Sequence, residues 1–165
     1  MTKKVGIIVG RFQVAELHPG HQHLLMTAHK ETDHVIIFLG SADQYFTKKN
    51  PLPYYHRKNM LIQYLPEAQI IPLNDIPGSD QLWTHKLDEE IGKYIRSNEE
   101  PILYGSRDSF ITIYEDNDGK YSTRFVNELE GYSGTKDREQ VTNVFYNSPD
   151  YRKGIIYTVL NSKHV

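Results

Sequence analysis

The sequence VGIIVGRFQ at residues 5–13, followed by HPGH at residues 18–21, indicates which fold this chain adopts. Residues 5–9 are a short apolar run rich in β-branched side chains, which is typical of a strand buried on both faces of a parallel sheet. A helix is predicted over residues 21–30 and a second buried strand over residues 35–39. Together these segments form a β-loop-α-β unit whose first loop leads into the HPGH sequence.

Strands and helices keep alternating further along the chain. The pattern predicts, in order, a helix at residues 55–65, a strand at residues 70–73 with Pro72 near a sheet edge, a helix capped by Ser79 or Asp80, and a strand at residues 102–104. Asp116-Asn117-Asp118-Gly119 has the composition of a hairpin turn between strands at residues 110–114 and 121–126. Further helices are predicted at residues 137–145 and from Ser148 onward.

This alternation predicts an α/β fold with right-handed crossovers. We expect a Rossmann-like, doubly wound and mostly parallel sheet with helices on both faces, followed by a C-terminal helical segment. Sheets of this kind bind ligands at the carboxyl ends of their strands. The loop after the first strand is therefore the first place where functional residues are expected.

Composition limits the classes of function. The 165 residues include 19 Lys plus Arg and 21 Asp plus Glu, for a net charge of -2, and no Cys. Without a basic excess the chain is not expected to bind nucleic acid or anionic lipid, and without Cys it has no thiolate nucleophile. No apolar run approaches the roughly 18 residues of a membrane span. We expect a single cytoplasmic domain over residues 1–165 that binds no membrane.

The loop after the first strand lacks both common glycine-rich phosphate-binding sequences, G-x-x-x-x-G-K-[ST] and G-x-G-x-x-G, which argues against a P-loop kinase and a dinucleotide oxidoreductase. It offers instead His18 and His21 at the start of a helix, where backbone N–H groups and the helix dipole attract phosphate oxygens. Gly20 leaves room for a ligand to approach closely. These residues predict a phosphate-binding site.

Gly-Arg-Phe-Gln at residues 10–13, followed by His-x-Gly-His, resembles the nucleotidylyltransferase superfamily and most closely its nicotinamide-nucleotide adenylyltransferases. The resemblance covers almost the whole chain and continues at residues 40–42, 49–51, 57, 76–83, 104–110 and 132–138. Residues 151–156 are similar to the junction that leads into a Nudix hydrolase domain in bifunctional relatives. We expect residues 1–165 to form one nucleotidylyltransferase domain without a Nudix domain.

The resemblance implies transfer of AMP from ATP to nicotinamide mononucleotide, giving NAD and pyrophosphate, with Mg²⁺ held mainly by the ATP phosphates and no dedicated metal ligands. Residues that it implies in catalysis are His18, His21, Arg11, Lys49 and Arg138. Those implied in ATP binding are Gly10, Arg11, His18, Gly20, His21, Gly105, Asp108, Ser133, Thr135 and Arg138. Those implied in acceptor binding are Phe12, Gln13, Ser41, Trp83 and Arg107, with Trp83 stacked on the nicotinamide. Relatives are often multimeric, which makes a homo-oligomer possible.

One feature departs from the family pattern, and several residues have simpler interpretations. Four residues, 14–17, separate Gln13 from His18 where the family usually has two, so the loop beside the acceptor pocket is longer. From spacing alone, Trp83 fits the buried stripe of a helix and Arg57 fits a solvated ion pair. The residues Ser133, Gly134 and Thr135 fit a helix cap, and a zinc site could be drawn from His18, His21 and His23.

Three functions stay open. The first is adenylylation of nicotinamide mononucleotide. The second keeps the fold and changes the phosphate acceptor to nicotinic acid mononucleotide, phosphopantetheine or, with cytidylyl transfer, a polyol phosphate. The third is a nucleotide-binding module without turnover, which would bind ligand but release no pyrophosphate.

Overall fold

The computed structural model describes residues 2–106 and 109–127. Over these residues strands and helices alternate without exception. The elements are β1 (Lys3–Gly10), α1 (Pro19–Glu31), β2 (His34–Leu39), α2 (Tyr54–Tyr64), β3 (Gln69–Pro72), α3 (Asp80–Gly92), β4 (Glu99–Gly105), α4 (Ile111–Asp116) and β5 (Ser122–Phe125). None of these helices has the length and apolar character that crossing a membrane requires.

The strands form one five-stranded parallel sheet in the order β3-β2-β1-β4-β5, which confirms the predicted fold class. The central strand is β1, in which Ile7 pairs with Ile36 of β2 on one side and with Leu103 of β4 on the other. Edge strand β3 ends at Pro72, as predicted from the missing N–H of proline.

Apolar side chains cover both faces of the sheet. On one face Leu25 of α1 and Leu61 of α2 pack in a cluster with Ile8. On the other face Leu87 of α3 and Tyr114 of α4 pack in a second cluster with Val5 and Ile7 of β1. Because α1 follows β1 on one face and α4 follows β4 on the opposite face, the chain diverges between these adjacent strands, which is where doubly wound sheets open a ligand crevice.

The predicted hairpin between residues 110 and 126 is wrong. Residues Ile111–Asp116 form helix α4, and β5 pairs parallel to β4, with Ile102 opposite Ser122. The helix forms because Ile111 and Tyr114, three residues apart, are both buried on one face. The turn residues end the helix instead of joining two strands, and Gly119 N donates to Tyr114 O at 2.9 Å.

Helix α3 begins as predicted. Ser79 is its N-cap, and the Ser79 Oγ accepts from the backbone N of Leu82 at 3.1 Å. Its predicted apolar stripe is buried at Leu87 and Ile91, whereas Trp83 at the start is only partly buried. The helices predicted at residues 137–145 and from Ser148 lie outside the described residues.

Candidate functional site

A cavity of about 910 Å³ opens at the carboxyl ends of β1, β2 and β4. Its walls come from the loop after β1, the start of α1, the loop after β2, the segment between β3 and α3, and the residues after β4. This is the crevice expected between β1 and β4, and its size suits a ligand larger than a single mononucleotide.

The N-terminus of α1 places two imidazoles at the cavity. His18 is the N-cap, and its Nδ1 accepts from the backbone N of His21 at 3.2 Å. The two rings stack with their centroids 3.6 Å apart and their planes 15° apart. Both line the cavity together with Gly20, so the helix start presents two ring edges and a side-chain-free backbone segment to a ligand.

His21 is a neutral imidazole at physiological pH. Burial, and secondly the neighbouring His18 ring, lower the pKa of His21 from 6.5 to about 3. Its Nδ1 is buried and has no hydrogen-bond partner among residues 2–106 and 109–127. A neutral ring in this position can donate one hydrogen bond to an anionic oxygen without the repulsion that two adjacent cations would create.

Phe12 closes one side of the histidine pair. Its ring lies 5.3 Å from that of His21, centroid to centroid, at 50°. The residue has a left-handed backbone with a φ of 50° and is buried. A β-carbon at Gly10 would come within 2.9 Å of the Phe12 ring, which explains a glycine at the end of β1.

The loop after β1 is fastened to the segment that precedes α2. Gln13 is buried, and its side-chain amide exchanges two hydrogen bonds with the backbone of Leu52, at 3.1 and 2.8 Å. Arg11 Nη1 donates to Asn50 Oδ1 at 3.3 Å. Within the longer stretch at residues 14–17, Val14 is buried and lines the cavity, whereas Glu16 is exposed.

A second polar group faces the cavity after β2 and β3. Ser41 has a φ of 49°, and its Oγ donates to Asp75 Oδ1 at 2.6 Å. Trp83 lines the same cavity from the first turn of α3, with its ring 6.1 Å from that of Phe110. An aromatic face and a hydroxyl-carboxylate pair therefore occur on the side of the cavity built after β2 and β3.

Arg57 is fully buried, which excludes the solvated ion pair considered from the sequence. Its guanidinium donates to the carbonyl oxygens of Arg11, Gly40 and Ser41 at 2.8, 2.7 and 3.1 Å. Burial, and secondly the nearby Arg11, lower the pKa of Arg57 to about 10, so the side chain stays charged at neutral pH.

Most of the residues implied by the resemblance meet at this cavity. Those that line it are Gly10, Arg11, Phe12, Gln13, His18, Gly20, His21, Ser41, Lys49 and Trp83. Gly105 is buried at the end of β4 behind them, where a β-carbon would meet Ser109 Oγ. Outside the described residues lie Arg107, Asp108, Ser133, Thr135 and Arg138.

Several polar residues that line the cavity were not singled out from the sequence, namely Gln44, Thr47, Asn74, Asp75, Ser109 and Asn127. Asp75 carries no motif and is recognised only by its bond to Ser41, while Ser109 lies within the motif at residues 104–110 but was not singled out. Over residues 2–106 and 109–127 no group of three or more His, Asp or Glu side chains is placed to hold a metal ion. His18, His21 and His23 therefore do not form the zinc site considered above.

Comparison with known sequences identifies relatives. A family model described as cytidylyltransferase-like matches residues 7–140. A nicotinamide-nucleotide adenylyltransferase of Thermococcus kodakarensis is 42% identical over 80 residues, covering 44% of this chain and 42% of that protein. The enzyme of the same name from Thermoplasma acidophilum is 27% identical over 147 residues, covering 84% and 75%. The chain spans about half the length of the first curated relatives it matches. In the nicotinamide-nucleotide adenylyltransferase of Thermococcus onnurineus, for example, the match covers 50% of that protein.

Solved structures share the fold. A bifunctional NMN adenylyltransferase/ADP ribose pyrophosphatase from Francisella tularensis superposes with a TM-score of 0.71 at 24% identity, over 88% of this chain and 43% of that one. A second structure of the same description, complexed with AMP and a manganese ion, superposes with a TM-score of 0.68 at 21% identity, over 98% of this chain and 52% of that one. At these identities the likeness concerns the arrangement of strands and helices.

Proposed function

The chain belongs to the cytidylyltransferase-like family of nucleotidylyltransferases, and on that premise we propose that it transfers AMP from ATP to nicotinamide mononucleotide, forming NAD and pyrophosphate. The observation that carries this proposal is one cavity that contains both the histidine pair at the start of α1 and the Trp83 ring. The first is suited to phosphates and the second to a planar, cationic pyridine ring.

The part of the cavity around His18 and His21, called here the phosphate side, would act by positioning the phosphates and stabilising their charge. The acceptor phosphate attacks the α-phosphorus in line, the P–O bond to the β-phosphate breaks, and pyrophosphate leaves with that electron pair. An anionic acceptor oxygen needs no general base. His18, His21 and the backbone N–H of Gly20 would donate to phosphate oxygens, while Arg11 and Lys49 would offset the developing charge.

The acceptor side would hold the pyridine ring. Trp83 would stack on the nicotinamide, whose positive charge is attracted by the face of an indole. Ser41 and Asp75 lie on the wall after β2 and β3 and supply polar groups there. Gln13, in the loop after β1, would contribute to acceptor binding by shape, since both ends of its amide already bond to Leu52.

Mg²⁺ fits this donor set as a ligand of the substrate. Imidazoles, amides and cations line the phosphate side, and among the described residues none form a cluster of carboxylates that could enclose the ion. A magnesium ion would therefore be held mainly by the triphosphate and water, where it neutralises phosphate charge. In the remainder of the proposed site, Ser133, Thr135 and Arg138 would bind the phosphates, Gly105 and Asp108 the nucleotide, and Arg107 the acceptor.

The nearest competing function keeps the fold and changes the acceptor. Nicotinic acid mononucleotide differs from the amide by one negative charge, and the Asp75 carboxylate on the acceptor wall favours the uncharged amide. Phosphopantetheine and polyol phosphates lack the aromatic ring that Trp83 would stack on.

The experiment is pyrophosphate release from ATP and Mg²⁺, measured in parallel with nicotinamide mononucleotide, nicotinic acid mononucleotide, phosphopantetheine and no acceptor, and from CTP with a polyol phosphate. Release that requires a pyridine mononucleotide and is faster with the amide supports the proposal. Release only with another acceptor moves the function to that acceptor. Tight ATP binding without release in any reaction indicates a binding module and overturns the proposal.

A further inference from the structure

We propose that Arg57 is a positioning residue that holds the loop after β1 and the loop after β2, which both line the cavity, at a fixed position relative to each other. This role rests on the proposed function for its kinetic consequences, but not for its geometry. Arg57 is absent from the cavity lining and belongs to α2, so it would act through the backbone of Arg11 and Ser41.

The contacts of the guanidinium define this role. Nη1 donates to Arg11 O at 2.8 Å and to Gly40 O at 2.7 Å, and Nη2 donates to Ser41 O at 3.1 Å. Arg11 belongs to the loop after β1, on the triphosphate side, whereas Gly40 and Ser41 follow β2, on the acceptor side. One rigid planar group therefore binds the backbone of both loops without itself lining the cavity.

The backbone on the acceptor side needs such a constraint. Ser41 has a φ of 49°, a conformation that a non-glycine residue adopts only when its surroundings enforce it. Arg57 holds the Ser41 carbonyl, and Asp75 accepts from the Ser41 Oγ at 2.6 Å. Without Arg57 the Ser41 carbonyl would keep only its bond from the backbone N of Gln44, at 3.1 Å, and Gly40 next to it would lose its side-chain donor. The backbone could then relax and move the hydroxyl away from its place in the cavity wall.

The choice of residue type also points to positioning. A buried cation is costly in free energy, and within the described residues the hydrogen bonds of Arg57 go to carbonyl oxygens rather than to a carboxylate. An apolar side chain would fill the same space at lower cost, but it would take the Arg57 donor from the Arg11 and Gly40 carbonyls and leave the Ser41 carbonyl with the backbone N of Gln44 alone. Lysine retains the charge but lacks the fork that reaches three acceptors at once.

The test compares Arg57→Lys and Arg57→Met with the wild type. The matched control is Lys58→Met, which removes a cation from the next position of the same helix, where Lys58 Nζ lies 6.0 Å from the Tyr54 ring centroid. Steady-state kinetics give kcat and the KM for each substrate, corrected for the folded fraction from circular dichroism. Calorimetry gives the ATP affinity independently of turnover.

Displacement of catalytic geometry by about 1 Å costs about 100-fold in rate. We therefore expect kcat/KM to fall about 10- to 100-fold for both substrates in folded Arg57→Lys, while Lys58→Met keeps wild-type values. A purely structural role would lower the melting temperature and leave the KM values and ATP affinity of the folded molecules unchanged, which would overturn the proposal. If Arg57→Met does not fold, the Lys variant decides.

The two proposals fail separately. If the wild type does not turn over ATP with nicotinamide mononucleotide, the proposed function fails, and the Arg57 proposal is then judged by ATP affinity alone. An affinity at least about tenfold weaker in folded Arg57→Lys than in Lys58→Met supports it. Equal affinities in the two variants contradict it.

Discussion

Protonation of His21 should destabilise the fold in acid. Burial and the adjacent His18 ring hold the folded-state pKa of His21 at about 3, against 6.5 for an unperturbed imidazole. Between these two values the unfolded chain binds a proton that the folded protein does not bind, so stability falls as the pH falls below 6.5 toward 3. At pH 5, about 1.5 units below the unperturbed pKa, the loss from this one group is about 2 kcal/mol.

The assay is urea unfolding at pH 7 and pH 5, followed by far-ultraviolet circular dichroism, on the wild type, His21→Gln and His23→Gln. Glutamine at position 21 is polar and does not titrate, so that variant should lose about 2 kcal/mol less stability than the wild type between the two pH values. The exposed His23, on the same helix, is the matched control and should keep the wild-type loss. An equal loss in the wild type and His21→Gln would refute the assignment of a buried, neutral imidazole.

Three further predictions concern catalysis, acceptor binding and packing. His21→Ala should lower turnover about 100-fold with the circular dichroism spectrum unchanged, since one charge-stabilising donor is lost; near-normal turnover would remove His21 from the mechanism. Trp83→Leu should raise the KM for nicotinamide mononucleotide about tenfold without weakening ATP binding, and an unchanged KM would contradict stacking. Gly119→Ala should cost about 1–3 kcal/mol in urea unfolding, because a β-carbon there would meet the buried Tyr114 ring, whereas Gly92→Ala would place its β-carbon at an ordinary 3.5 Å from Tyr121 Oη. Equal unfolding midpoints for the two alanine variants would contradict that packing.

The sheet was predictable because its strands are buried on both faces. Residues 5–9 and 35–39 are continuous apolar runs, and the structure places them next to each other at the centre of the sheet. The hairpin prediction failed because Asp116-Asn117-Asp118-Gly119 has the composition of several kinds of turn. What decides between a hairpin and a helix there is the burial of Ile111 and Tyr114, with Tyr114 packed against α3 and the sheet, which is a tertiary effect.

The site was predictable where motif residues lie close along the chain. Arg11, His18 and His21 sit within one loop and the start of one helix, and they line the same cavity as expected from the strand-to-helix turn. The resemblance included Arg57, but its contacts were not predictable from the sequence, and neither was the contact of Asp75 with Ser41. Arg57 bonds to backbone carbonyls, which every residue has, and Asp75 meets Ser41 across 34 positions of sequence, so neither leaves a local pattern.

The measurement that tests the central claim most directly follows the α-phosphate of ATP. The protein is incubated with Mg²⁺, nicotinamide mononucleotide and ATP labelled at the α-phosphate, and the products are separated. AMP transfer predicts that the label moves into NAD, in an amount equal to the pyrophosphate released. Label that remains in ATP, or that appears only in free AMP, would contradict transfer of AMP to the acceptor in this cavity.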